Sequence, residues 1–258
     1  MEDYYMRKQL TAVIPVFAIL GIIGAVLRYI HTTTCYDSSG LPIEGAPVAT
    51  VLFVLSIAAV AVSLVFSAAV SSKLTQNQSS AFSVGIFGLA VQVLSALLMA
   101  VSSFFGIAVN GLCLQSIGNI FGILCIAAVP AASVMLYKGT SGKASAYLLL
   151  LPAVFMCLRL VWVFYSNTSN PITPDYCFEC VALGAAALYI CSVSGFALGR
   201  PQTFTTVFSG LIAAAFSFIS ITGRTETLGD IMCYLSIPAF IIPGLFSFIK
   251  KLDFKNGK

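Results

Sequence analysis

Eight stretches of about 20 consecutive apolar residues, separated by short polar connections, decide most of what this chain can fold into. They cover approximately residues 11–30, 48–70, 81–103, 117–137, 144–166, 179–198, 203–222 and 229–249. A helix rises about 1.5 Å per residue, so each stretch is long enough to cross a hydrocarbon layer of about 30 Å. Inside that layer every backbone N–H and C=O must find its partner within the protein, which leaves helices or a closed barrel. The runs are too long and too continuously apolar for barrel strands, whose side chains alternate between lipid and lumen. The expected fold is therefore an all-α integral membrane protein, a bundle of eight transmembrane helices. Composition says the same: 59% of residues are hydrophobic and 9% charged, against about 45–50% and 25% in soluble domains.

The longest connection, 31–47, leaves no room for a soluble domain, so any activity must lie within the bundle or on its two thin faces. Arg7 and Lys8 precede the first run as they would in a secretory signal. The run is too long for a signal core and lacks a small-residue cleavage site, so a retained helix is expected.

Basic residues set the orientation. With the N-terminus inside, the inner segments hold Arg7, Lys8, Lys73, Lys138, Lys143, Arg200, Lys250, Lys251, Lys255 and Lys258, ten of thirteen basic residues. The outer half keeps Arg28, Arg159 and Arg224, together with Asp37, Glu44, Asp175, Glu179, Glu226 and Asp230. Both termini are expected in the cytoplasm, and the net charge of +4 reflects topology and attraction to anionic headgroups. The basic residues are scattered and form no groove, so nucleic acid is not an expected partner; the lipid bilayer is.

Short matches suggest internal repetition. "AFSVGIFGLA" from Ala81 and "TFTTVFSGLI" from Thr203 align Phe, a hydroxyl, Gly and Leu, and "IGNI" at 117–120 parallels "LGDI" at 228–231. Pro15, Pro130, Pro152, Pro238 and Pro243 fall in spans one, four, five and eight, and Arg28 and Arg159 each follow a leucine near the outer end of spans one and five. The expected organisation is a tandem four-plus-four duplication, 1–140 and 141–258, with the two halves parallel across an axis along the membrane normal.

The costly residues are few. Arg159 sits about six residues before Tyr165, roughly 9 Å below a helix end, near the limit of a snorkelling side chain. It can anchor the span beside Trp162 and Tyr165 in the aromatic belt. It can also face inward with Arg28 as a pair open to the outside, holding an anionic headgroup or carboxylate bidentately. Asp175 or Glu179 would then neutralise Arg159 in the empty site, so the candidate ligand-binding set is Arg28, Arg159, Asp175 and Glu179. Gln92 is expected to bond between helices, and Asn119 and Asp230 to cap the helices they open. His31, the single histidine, has no partners that would make a metal site.

"CFEC", Cys177 to Cys180, stands at the outer start of the sixth span, where a helix N-terminus favours the thiolate. This placement resembles that of the membrane-embedded disulfide-forming enzymes of the disulfide bond formation protein B and vitamin K epoxide reductase families. The resemblance covers four residues and a nearby arginine, too little to identify the chain as a member. It implies a redox pair and electron transfer to a quinone, whereas the residues alone leave a structural disulfide or free thiols open. Those families use a smaller four-helix core and a second cysteine pair, for which Cys35 and Cys113 are the loose candidates here.

No span carries a lysine for a retinal Schiff base, and no GxxxxGK[ST] loop, HExxH or paired intramembrane carboxylate appears. Acids are expected to avoid the spans, which argues against proton coupling through a buried carboxylate. The leading expectation is a multi-pass protein of a bacterial cytoplasmic membrane that binds or transports a small or lipid-like, anionic ligand between two helical repeats, without cofactor or metal. In-span prolines would give broken or mobile helices at that interface. The alternatives are a non-catalytic membrane subunit that packs against a protein partner, and a thiol-disulfide oxidoreductase using Cys177, Cys180 and a quinone.

Overall fold

The computed structural model describes residues 2–36, 43, 45–72, 82, 84–110, 114–138, 142–168, 176–223 and 227–251. Asp37, Glu44, Lys73, Cys113, Asp175, Arg224 and Glu226, all invoked above, lie outside the described residues. Eight helices follow in order: α1 (Glu2–Thr34), α2 (Pro47–Ser72), α3 (Ile86–Asn110), α4 (Leu114–Tyr137), α5 (Lys143–Ser166), α6 (Cys177–Ala197), α7 (Thr203–Ser220) and α8 (Leu228–Lys250). Every one contains a stretch long and apolar enough to cross a membrane, and no sheet is present among the described residues. The expected spans recur with ragged ends: α1 begins nine residues earlier than its apolar run and α4 three residues earlier.

Helices α3 to α8 pack in sequence around a ring, closed by α8 against α3, with α6 also touching α8. Helices α1 and α2 lie outside it, both against α7. In consequence α7 buries 72% of the residues of its apolar stretch, against 22% for α2, whose remaining side chains face outward from the bundle. Between helices no hydrophobic force favours protein over lipid, so close backbone approach through small residues must hold them. Gly21 does this for α1: a methyl group there would stand 2.8 Å from the Ala215 carbonyl oxygen of α7. One turn on, Thr222 Oγ1 donates to the Ala25 carbonyl at 3.0 Å.

All five in-span prolines sit inside continuous helices, Pro15 in α1, Pro130 in α4, Pro152 in α5, Pro238 and Pro243 in α8. The expected breaks do not occur. Helix α3 donates to backbone carbonyls of α8 near these prolines: Ser95 Oγ bonds the Ser236 carbonyl at 2.8 Å and Gln92 Nε2 the Phe240 carbonyl at 3.4 Å. Gln92 thus makes the interhelical bond expected of it, to α8.

Positions matched between the halves have unlike surroundings. Helix α6 packs along α7, whereas α2 makes no contact with α3. Phe82 is buried between the rings of Phe196 and Phe248, while Phe204 is 38% exposed and stacks on Phe208. Gly118 approaches Leu158 of α5, whereas Gly229 approaches Phe105 and Ser102 of α3.

Candidate functional site

At the end of the bundle where α1, α5 and α7 finish and α6 and α8 begin, here called the distal end, two arginines point inward. They do not share a vestibule. Arg28 of α1 is 2% exposed and reaches past the end of α7, donating from Nη1 to the Ile219 carbonyl at 3.3 Å and from Nη2 to Glu179 Oε1 of α6 at 2.5 Å. The Phe178 ring lies 5.2 Å below its guanidinium carbon. Each charge sits where the backbone favours it, the cation at the C-terminal end of α7 and the carboxylate in the first turn of α6. The expectation that acids avoid the spans is corrected here: Glu179 lies in a membrane-spanning helix, 4% exposed, and Arg28 makes that burial tolerable. Glu179 does not neutralise Arg159, the alternative that the sequence left open.

Arg159 is 6% exposed and turns inward, so it is not a lipid-facing anchor. Its Nη2 pairs with Asp230 Oδ1 of α8. Helices α5 and α8 do not pack on each other, so the length of the arginine side chain spans the gap. The neighbour of α8 at this end is α3, at Gly229, where an added methyl would meet the Ser102 carbonyl oxygen at 3.3 Å. That contact seats the first turn of α8. Asp230 is not the cap expected of it; Thr227 is, with Asp230 three residues inside the helix. The two form a capping box: Asp230 N donates to Thr227 Oγ1 at 3.3 Å, and Asp230 Oδ2 accepts from Thr227 N at 2.9 Å and from Thr227 Oγ1 at 2.5 Å. One carboxylate oxygen therefore serves the helix end and the other serves Arg159.

Beside this pair a cavity of about 210 Å³ opens between α4 and α5, lined by Ile117, Gly118, Asn119, Phe155, Leu158, Arg159, Val161, Trp162 and Tyr165. Its walls are mainly apolar, with polar groups on Asn119, Arg159, Trp162 and Tyr165, and its rim is exposed at Ile117, Val161 and Tyr165. The floor is Phe155, seated over Gly122, where a methyl group would collide with Ser103 Oγ and stand 2.7 Å from the Phe155 ring. Asn119 was expected as a cap; α4 begins five residues earlier, and Asn119 is instead a buried wall residue whose amide lies against Gly106. Two buried donors on crevice-lining residues, Arg159 Nε and Asn119 Nδ2, have no hydrogen-bond partner among the described residues, the Asn119 amide facing Gly106 of α3. Buried donors in native proteins are nearly always satisfied, so Arg159 Nε beside this cavity calls for an acceptor from outside the described residues.

The sequence reading named Arg159 but missed Asn119 and Asp230 as members of the site, because both opened a span and looked like caps. The signal that would have found Asp230 is the TETLGD stretch, in which Thr227 already supplies the cap three residues before it.

Cys177 and Cys180 occupy the first turn of α6, half-buried, unlinked and packed against the apolar core. Cys35 is buried and unlinked. The aromatic-walled crevice takes none of its lining from α6. No group of three His, Cys, Asp or Glu side chains that could hold a metal is found among the described residues.

Comparison with protein-family models, with curated proteins and with solved structures gives no match.

Proposed function

We propose that this membrane protein binds an amphiphilic anion, taken laterally from the bilayer, in the crevice between α4 and α5. The observation that carries the reading is Arg159: a buried guanidinium with an unpartnered Nε, in a mainly apolar cavity whose open side is the membrane-facing surface. An oxyanion headgroup would accept from Arg159, and an acyl or alkyl chain would lie along Leu158, Phe155 and Ile117. A small hydrophilic anion would leave those apolar walls uncovered, and a neutral lipid would leave the Arg159 donor unsatisfied. This reading moves the site from a seam between two repeats to a gap between neighbouring helices. Translocation would further require the Phe155 floor to open.

Orientation belongs to the same proposal. The exposed Lys138, Lys143, Arg200, Lys250 and Lys251 gather at the end opposite the crevice, which by the positive-inside rule is cytoplasmic and leaves the crevice in the outer leaflet. The tandem origin of the halves rests on the sequence matches alone.

Trp162, the chain's single tryptophan, lines the crevice and makes the test direct. Stearate brominated along its chain, added to the protein in phosphatidylcholine nanodiscs, is expected to quench Trp162 saturably, with the equally brominated alcohol far weaker. Arg159→Leu should abolish the difference between acid and alcohol without loss of folded protein. Arg159→Lys, which keeps charge but not the planar fork, should weaken it. Equal quenching by acid and alcohol in the wild type would sink the proposal.

A further inference from the structure

We infer that Asp230 is the anion a ligand replaces, and that its lingering charge selects monoanionic headgroups. The inference rests on the binding reading above. Asp230 already neutralises Arg159, so a second anion can take its Nη2 edge only if Asp230 Oδ1 leaves. The geometry lets it leave. The Asp230 side chain is 23% exposed whereas that of Arg159 is 5%, so the carboxylate can turn into water while the guanidinium cannot follow. Turning need not cost the helix its cap, because Oδ2 is held by both the amide and the hydroxyl of Thr227. With no packing between α5 and α8 to resist it, the exchange trades one carboxylate for another oxyanion and leaves the backbone in place.

Charge then decides the class of ligand. With the ligand bound, Arg159 faces the headgroup and Asp230 stays at the start of α8, compensated by Thr227 and the positive end of that helix. A monoanion, such as a carboxylate or a phosphodiester, leaves the local sum at minus one. A phosphomonoester near its second ionisation adds up to one more negative charge against Asp230. The site therefore favours an acyl-chain carboxylate or phosphodiester over a chain-bearing phosphomonoester.

The experiment measures dissociation constants of stearate and lysophosphatidate by Trp162 quenching, using brominated chains, in wild type, Asp230→Asn and Thr227→Val, each in phosphatidylcholine nanodiscs. Asparagine keeps an oxygen for Thr227 but cannot hold Arg159 as a carboxylate does. Asp230→Asn should bind stearate about tenfold more tightly, since the apparent affinity no longer carries the cost of opening the pair. Lysophosphatidate should gain more than stearate. Thr227→Val frees Oδ2 to turn toward Arg159 and should weaken both, which keeps a signed outcome available if Asp230→Asn fails to fold. Wild-type binding with no gain in Asp230→Asn, or with equal gains for the two headgroups, overturns the exchange while the binding reading stands. No binding to wild type overturns both.

Discussion

Removing Glu179 should be among the most damaging single changes in the protein, and removing Arg28 with it should repair most of the damage. Arg28 is 2% exposed, and its carboxylate partner lies 2.5 Å away on α6, whose backbone α1 does not approach. In Glu179→Ala the cation loses its carboxylate; the Ile219 carbonyl at 3.3 Å and the face of Phe178 stay beside it. Neither can balance a unit charge in an apolar surround. Breaking a buried pair from one side costs about 3–5 kcal/mol, whereas replacing both members by apolar residues of similar volume is often neutral or better. Glu179→Ala is therefore expected to lose about 3–5 kcal/mol, and Arg28→Met with Glu179→Met to lie within about 1 kcal/mol of wild type. Reversible unfolding in mixed micelles with increasing dodecyl sulfate, followed through Trp162, compares wild type, Glu179→Ala and the double variant. By contrast Asp230→Ala leaves Arg159 beside a carboxylate position that is already part-exposed, so its loss should be the smaller of the two. A Glu179→Ala loss under about 1 kcal/mol, or a double variant as damaged as the single, would mean that Arg28 reaches water or headgroups and that the pair is not a buried clamp.

Three further outcomes follow from close approaches and charge placement. Gly122→Ala should drive Phe155 out of its seat, costing about 1–3 kcal/mol in the same unfolding assay and shrinking the quenching of Trp162 by brominated stearate. Gly21→Val should part α1 from α7, because its first side-chain carbon would meet the Ala215 carbonyl oxygen at 2.8 Å, and a loss of about 1–3 kcal/mol is expected, with undisturbed stability refuting the close packing. A cysteine placed at exposed Lys138 should react with an impermeant maleimide only after the cells are opened; labelling of intact cells above the wild-type background would reverse the proposed orientation.

The sequence by itself determined the class of fold and the number of helices, because the length of an apolar run and the ban on unpaired backbone in hydrocarbon admit one solution. It also determined which residues would be expensive: Arg28 and Arg159 stand out in any reading, since a cation in a membrane helix must be compensated. What it could not determine was the compensation. Glu179 and Asp230 are equally plausible partners for either arginine along the chain, and only the packing of α1 beside α7, and of α3 against α8, assigns Glu179 to Arg28 and Asp230 to Arg159. Asn119 shows the same limit. A polar residue near the start of a span reads as a cap, and its burial against Gly106 is visible only when α3 and α4 are side by side. Helix pairing in a membrane is decided by small differences in shape, by where a glycine lets a neighbour approach, and composition within so narrow an alphabet carries little of that information. The crevice beside Arg159 is therefore a product of tertiary structure alone, even though the residue that gives it a charge was legible from the start.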